Sequence, residues 1–385
     1  TACGGRSEHA KKLNIDTAVS INIWYQDDAY TSYLDYIAQQ FHKANEFITV
    51  NPVKVEENNL LDAVYNGSIA QNNVADVYLM EASDMQRAYL MGLTAENDAY
   101  TQYYSQKHFP VTAVNAACYE GKLYGYPVTF HTAVMVYNKK YATAPENFEQ
   151  IEAFLNSYQV TDENKDVNMI VGWDTQDLWT NYAFGGSYVD NGGAQGEDAE
   201  SDAQTEALKA AMTEYAALQN TFGIVDKTQE EYKQMFINNQ LIYTILDSTQ
   251  LADLNASGVD YGICAVPGAK TGFGTQSLSD TILAMVNPYS ENTDTAKEVA
   301  QAISYDYADL LEKDTGYISA RTDVADKNKK TLYQPLYEVY AKSDSYAKYI
   351  GADEFYVRYS ILLHNIWKGE DLNESVDAFI KAVSR

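Results

Sequence analysis

Two rhythms of apolar and polar positions run along the chain, and each change of rhythm marks an element. Val19, Ile21 and Ile23 alternate with polar residues up to Trp24, the period-two signature of a strand. Tyr33, Leu34, Ile37, Phe41 and Ala44 then recur at helical spacing. Val53 and Val55 predict a short second strand starting at Pro52, and Leu60, Leu61 and Val64 open a second helix. Residues 75–80 form a short apolar run, a third strand, and Met85, Tyr89 and Gly92 start another helix. Past the middle, residues 133–137, 241–246, 261–266 and 281–286 predict strands. Phe148, Ile151, Phe154 and Leu155 mark one helix face, residues 207–218 are helical, and from about 295 to 385 the chain is nearly all helix. Strands separated by amphipathic helices predict an α/β fold on a mainly parallel sheet with helical cover.

A chain of 385 residues exceeds what one hydrophobic core serves, so two domains are expected. No repeat and no low-complexity linker separates them, which suggests lobes joined by more than one crossing strand. Apolar residues make up 46% of the chain, which excludes a disordered polymer. Tyr is over-used, with 33 copies against 12 Phe and 4 Trp. Its apolar ring and polar tip suit core edges, and also amphipathic surfaces and binding clefts.

The net charge of −27 repels nucleic acid and anionic membrane surfaces. The acidic stretch around Glu197, Asp198, Glu200 and Asp202 is expected to be a solvated loop. No apolar run reaches the roughly 18 residues of a membrane-spanning helix. Catalytic motifs are missing: there is no G-x-S-x-G elbow, H-E-x-x-H zinc motif or phosphate-cradling loop. His9, His42, His108, His131 and His364 lack metal-ligand spacing, and the glycine cluster 192–196 is followed by acids, which disfavours phosphate. No cofactor or metal is expected, with calcium in an acidic loop open as a minor structural feature.

A resemblance then emerges. Glu120-Gly121-Lys122-Leu123-Tyr124-Gly125-Tyr126-Pro127, followed by Val136-Tyr137-Asn138-Lys139, resembles a hallmark of extracellular solute-binding proteins of the maltose-binding class. Asp76-Val77-Tyr78-Leu79 with Gly92-Leu93, the run 236–267 containing Val259-Asp260-Tyr261-Gly262 and Val266-Pro267, and Trp367-Lys368-Gly369-Glu370-Asp371-Leu372 resemble further segments of that family, in order. The resemblance spans almost the whole chain. It implies a two-lobed periplasmic-binding-protein-like fold of type II, each lobe a mostly parallel sheet covered by helices, with a hinge of crossover strands around a cleft. The expected lobes are residues 18–130 plus 280–323, and 131–279 plus 324–385. The implied function is capture of a sugar or oligosaccharide for an ABC permease, by a monomer with no nucleic-acid partner.

Three cysteines are present, an odd number for an extracellular protein. Thr1-Ala2-Cys3-Gly4-Gly5 resembles the end of a bacterial lipoprotein signal. It implies an acylated Cys3, residues 1–17 as a tether, and a place on the extracellular face of the cell membrane. Cys118 and Cys264 fit ordinary small buried positions.

In parallel α/β lobes a ligand sits beyond the carboxyl ends of strands. The candidate contacts are therefore Trp24, Tyr25, Gln26, Asp27 and Asp28 after the first strand, and Met80, Glu81 and Asp84 after the third. Thr129, Phe130 and His131 lie at the crossover, Asp247, Ser248 and Thr249 follow the strand at 241, and Ser277, Ser279 and Asp280 lie at the return. A sugar offers hydroxyls to carboxylates and amides, and an apolar C–H face to rings. Trp173, Asp177 and Trp179 fall in the polar stretch 172–182, where a stacking role and a core role are both open to the rings; Tyr356 lies where the resemblance puts a stacking aromatic. Relatives often carry a Trp near the position of 247–249 and an aromatic at that of Met80. The departure implies a ligand smaller or differently branched than a long maltodextrin. The acidic rim leaves a small cation such as a polyamine as an alternative, and a glycan adhesin or a glycosidase as another. A glycosidase needs two carboxylates at fixed separation, and with 54 acids two in a cleft mean little.

Overall fold

A computed structural model describes residues 12–56, 58–191, 205–324 and 330–383. The chain divides into two compact units, Thr1–Phe130 with Thr281–Asp326, and His131–Asp280 with Lys327–Arg385. Unit 1 begins with β1 (Val19–Tyr25), α1 (Thr31–Ala44), β2 (Ile48–Lys54), α2 (Leu60–Ala70), β3 (Val77–Glu81), α3 (Met85–Leu90), α4 (Val111–Ala117), β4 (Cys118–Tyr119) and β5 (Lys122–Leu123). The long β6 (Tyr126–Asn138) carries the chain into unit 2. There follow α5 (Phe148–Ser157), β7 (Met169–Val171), α6 (Leu178–Gly186), α7 (Thr205–Phe222), α8 (Gln229–Ile237), β8 (Leu241–Asp247), α9 (Leu251–Ser257) and β9 (Tyr261–Cys264). β10 (Leu278–Val286) returns to unit 1, which adds α10 (Thr293–Gln301) and α11 (Ala308–Thr315). Unit 2 ends with α12 (Lys330–Lys342), β11 (Asp344–Ser345), α13 (Ala352–Trp367) and α14 (Leu372–Val383).

In unit 1, β1 lies between two parallel neighbours, with Val19 opposite Ile48 in β2 and Ile23 opposite Val77 in β3. The later half of β10 pairs antiparallel to β3, Val286 opposite Val77. β2 starts at Ile48, four residues earlier than its pattern predicts, and Pro52 lies inside it. The edge position of β2 tolerates this, because one side of an edge strand has no ladder for the missing N–H to break. The β4–β5 turn explains Gly121: Glu120 and Gly121 have φ of 45° and 76°, the pair of positive values that a tight two-residue hairpin turn demands. Trp24, Leu61, Val64, Tyr78, Met85 and Met285 share the core on one face of this sheet.

Unit 2 is mixed. β7 and β8 run parallel, while β6 is antiparallel to β8, Ala133 opposite Asp247, and to β9, Met135 opposite Cys264. The first residues of β10 pair in parallel with β11. The expected polar stretch 172–182 turns into α6 at Leu178. Asp177 caps that helix, its carboxylate accepting from the Thr180 N–H at 2.8 Å. Every residue from Thr180 to Gly186 is buried, so the helix is covered on all sides.

Candidate functional site

Unit 1 places polar side chains at the ends of β1 and β3. Gln26, Asp27 and Asp28 are exposed after β1, and Glu81 is exposed at the end of β3. Asp27 caps the following turn, accepting from the Ala29 N–H at 2.9 Å and from the Tyr317 hydroxyl at 2.6 Å. Together with Tyr30, Met80, Glu81, Asp84 and Arg87, Gln26 and Asp27 line a pocket of about 400 Å³ that abuts the N-terminus of α2. Burial, then the charge of Asp27, raises the Tyr30 hydroxyl well above its ordinary value, so it stays a neutral donor. Arg87 is held in an ion pair with Asp62 at 2.9 Å.

Three of the contacts expected after β1 fall elsewhere. Tyr25 is buried, its hydroxyl 2.9 Å from that of Thr31. Trp24 is a core ring, 7% exposed, because its strand position points it into the cluster with Leu61 and Tyr78. Asp28 pairs with Lys54 at 2.7 Å and does not line the pocket.

Unit 2 builds a ladder of rings. His131 meets Trp179 with centroids 4.4 Å apart. Trp179 stacks on Tyr346 at 5.8 Å and 26°, and Tyr346 on Tyr356 at 3.8 Å and 23°. Trp179 and Tyr346 are half-buried. The His131 Nδ1 lies 3.0 Å from Asp247 Oδ2, while the Thr249 N–H and hydroxyl donate to Oδ1 at 2.9 and 2.7 Å. Burial would raise the Asp247 carboxyl, but His131 and these Thr249 donors outweigh it and hold it below the usual carboxylate range. It is an ionised, fixed acceptor. Asp177 is raised, by burial first, despite its bond from the Thr180 N–H.

The ring candidates separate. Trp173 is fully buried among Phe148, Phe184 and Trp367, its Nε1–H donating to Asn181 at 2.9 Å, so it is a core ring and not a stacking face. Tyr356 is 2% exposed. Its hydroxyl accepts from the Asn191 side chain and the Ala347 N–H, so it backs Tyr346 and does not itself offer a face. Ser279 is fully buried and bonds Ser343 at 2.6 Å, Ser277 bonds the Ala133 carbonyl, and Asp280 is buried, so the return strand serves structure. Burial pushes the Cys264 thiol up to about 12, which keeps it protonated and inert. Cys3 and the acidic stretch at 197–202 lie outside the described residues. Tyr346 escaped the sequence pattern, which extends helix across it. Ser343, Asp344 and Ser345 are turn formers and were the available signal of a break.

Fixed hydrogen-bond acceptors beside half-buried rings, on strand ends of α/β units, fit a protein that binds a solute. The chain belongs to the bacterial extracellular solute-binding protein family, whose model matches residues 36–335; it is a binding protein and not an enzyme. It is 22% identical over 334 residues to the maltodextrin-binding protein MdxE of Bacillus subtilis (strain 168), covering 82% of this chain and 77% of that one. Its fold is shared with a cyclo/maltodextrin-binding protein complexed with maltotetraose, at a TM-score of 0.77 and 16% identity over 96% of this chain and 98% of that one. It is shared too with an extracellular solute-binding protein of Staphylococcus aureus in complex with maltose, at 0.76 and 18% over 96% and 98%.

Proposed function

We propose that this chain captures a sugar or short oligosaccharide outside the cell and delivers it to an ABC permease. The observation that carries the reading is the Trp179–Tyr346 platform bordered by ionised Asp247. A pyranose has an apolar C–H face to lay on such rings, and hydroxyls to donate to a fixed carboxylate. Gln26, Asp27, Glu81 and Asp84 in unit 1, over the floor of Met80, supply further hydroxyl partners. His131 and Thr249 take part in unit 2 by orienting Asp247. The maltodextrin, maltotetraose and maltose named for the relatives support the sugar class. The departures at Met80 and 247–249 favour a ligand shorter or differently branched than a long maltodextrin. The proposal includes an acylated Cys3 as membrane anchor, a monomeric state, and a hinge at the passages 130/131 and 280/281, where the chain changes units.

The test is a thermal-shift screen over mono- and oligosaccharides, polyols and polyamines. A ligand at 100 times its Kd adds about 2.7 kcal/mol of stability. Stabilisation by a saccharide and not by polyamines is the expected result. One observation favours a second reading: among the described lining residues of the pocket, Asp27, Glu81 and Asp84 face a single cation, Arg87, already paired with Asp62. Stabilisation by a polyamine alone would replace the sugar with a cationic solute.

A further inference from the structure

We propose that Asp344 is a positioning residue whose protonation state sets how firmly the two rings of the unit 2 platform are held together. The inference rests on reading that platform as a ligand contact. The geometry starts at β11. The Asp344 N–H donates to the Ser277 carbonyl at 2.9 Å and the Tyr346 N–H to the Ser279 carbonyl at 2.7 Å, so the backbone on both sides is pinned to β10. The side chain reaches the other way. Its Oδ2 accepts from the Tyr182 hydroxyl at 2.8 Å and its Oδ1 from the Gln276 amide. Tyr182 lies one turn beyond Trp179 in α6. One carboxyl therefore ties the helix that carries Trp179 to the strand that leads into Tyr346.

α6 has little slack against this segment. A Cβ on Gly186 would stand 2.3 Å from the Gln276 carbonyl oxygen, and one on Gly185 2.2 Å from the Tyr359 hydroxyl. Among the described residues, the titratable groups facing Asp344 are Tyr182 from α6, Asp190 from the segment after it, and Tyr356 and Tyr359 from α13. Burial raises the carboxyl to about 7, against the pull of the Tyr182 hydrogen bond and with the push of Asp190. The carboxylate accepts both donors in charge-assisted bonds, which are roughly twice as strong as neutral ones. Protonation removes the charge and one accepting site, so the tie slackens. The Trp179–Tyr346 spacing then loosens as pH falls through 7.

The test needs no ligand. The indole N–H signal of Trp179, assigned by its loss in Trp179→Phe, is followed by ¹⁵N NMR from roughly pH 5.5 to 8.5, a span that brackets the Asp344 titration. The parent should show a step with a midpoint near 7. The step should vanish in Asp344→Asn, and shrink in Tyr182→Phe, which cuts the tie and keeps the carboxyl. A flat parent overturns the proposal. So does an unchanged step in both variants, which would place the proton on another group such as His131, 4.4 Å from Trp179. If Asp344→Asn does not fold, Tyr182→Phe decides alone. Failure to find any saccharide ligand would defeat the functional reading and leave this result standing.

Discussion

Trp173 and Trp179 stand six residues apart in one stretch of sequence, and their alanine variants should fail in opposite ways. Trp173 is fully buried, touches Phe148, Phe184 and Trp367, and donates to Asn181. Truncating a core Trp costs about 3–5 kcal/mol, a large share of a typical stability of about 5–15 kcal/mol. Unit 2 spans roughly 200 residues, for which each kcal/mol moves Tm by about 2–4 °C, so Trp173→Ala should lower the melting of that unit by about 6–20 °C. Trp179 is half-buried and makes two ring pairs, with His131 and Tyr346. Each such pair contributes about 0.5–1.5 kcal/mol, so Trp179→Ala should cost about 1–3 kcal/mol of stability. Its loss should appear in binding instead, at about 2 kcal/mol or more, which is roughly thirtyfold in Kd. The assays are scanning calorimetry without ligand and titration calorimetry with the saccharide found by screening. A Trp173→Ala protein that melts with the parent, or a Trp179→Ala protein that binds like it, refutes the division of roles.

Gly185→Ala forces a methyl to 2.2 Å from the Tyr359 hydroxyl, and overpacking of this kind should cost about 1–3 kcal/mol in denaturant melts; a neutral variant would show that α6 can shift. The Asp247 carboxyl is lowered in the folded state, so its contribution to stability is present above the unfolded pKa of about 4 and is lost as pH falls through its folded value; Asp247→Asn should destabilise at pH 7 and much less at pH 3. Asp344 has the opposite sign. Its folded pKa of about 7 makes the parent lose stability as pH rises from about 4 to 7, so melts of Asp344→Asn should gain on the parent across that window; parallel curves would refute the assignment. Anionic saccharides such as uronates should bind more weakly than their neutral counterparts in titration calorimetry, because Asp27, Glu81 and Asp84 crowd the pocket with negative charge; equal affinity would remove those carboxylates from the contact.

Much of the scaffold was legible because its signals are local. The alternation of Val19, Ile21 and Ile23 and the helical spacing from Tyr33 to Ala44 each report burial against a single face, and β1 and α1 follow them. The start of β2 was not legible from Pro52, because only the edge position in the sheet makes a proline acceptable there. The pocket acids Asp27, Glu81 and Asp84 could be read from their places after strands. The rings could not. Trp173 is claimed by Trp367, which comes from the far end of the chain, and Trp179 by Tyr346, which follows a short strand that interrupts an apolar pattern otherwise written for helix. Local partners such as Asn181 and Phe184 do not settle the matter alone; the partners that complete each ring's setting lie well over a hundred residues away, outside any short window of sequence.

On the proposed sugar reading, how firmly each candidate acid is held bears on recognition. Asp247 is engaged by His131 and Thr249 and Asp177 by Thr180 in unit 2, and Asp27 by the Ala29 N–H and the Tyr317 hydroxyl in unit 1. Their oxygens are fixed before a ligand arrives, so little side-chain entropy is lost on binding and the remaining lone pairs point in set directions. A fixed direction can discriminate between an axial and an equatorial hydroxyl. In unit 1 the Glu81 and Gln26 side chains are exposed on the pocket rim. The exposed Glu81 side chain keeps rotamer freedom, which binding must remove at about 0.5–1.5 kcal/mol for each immobilised side chain. Flexible partners follow a ligand's outline and enforce its stereochemistry weakly. On the proposed sugar reading, the fixed carboxylate Asp247 of unit 2 would set hydroxyl stereochemistry more strictly than the exposed Glu81 of unit 1.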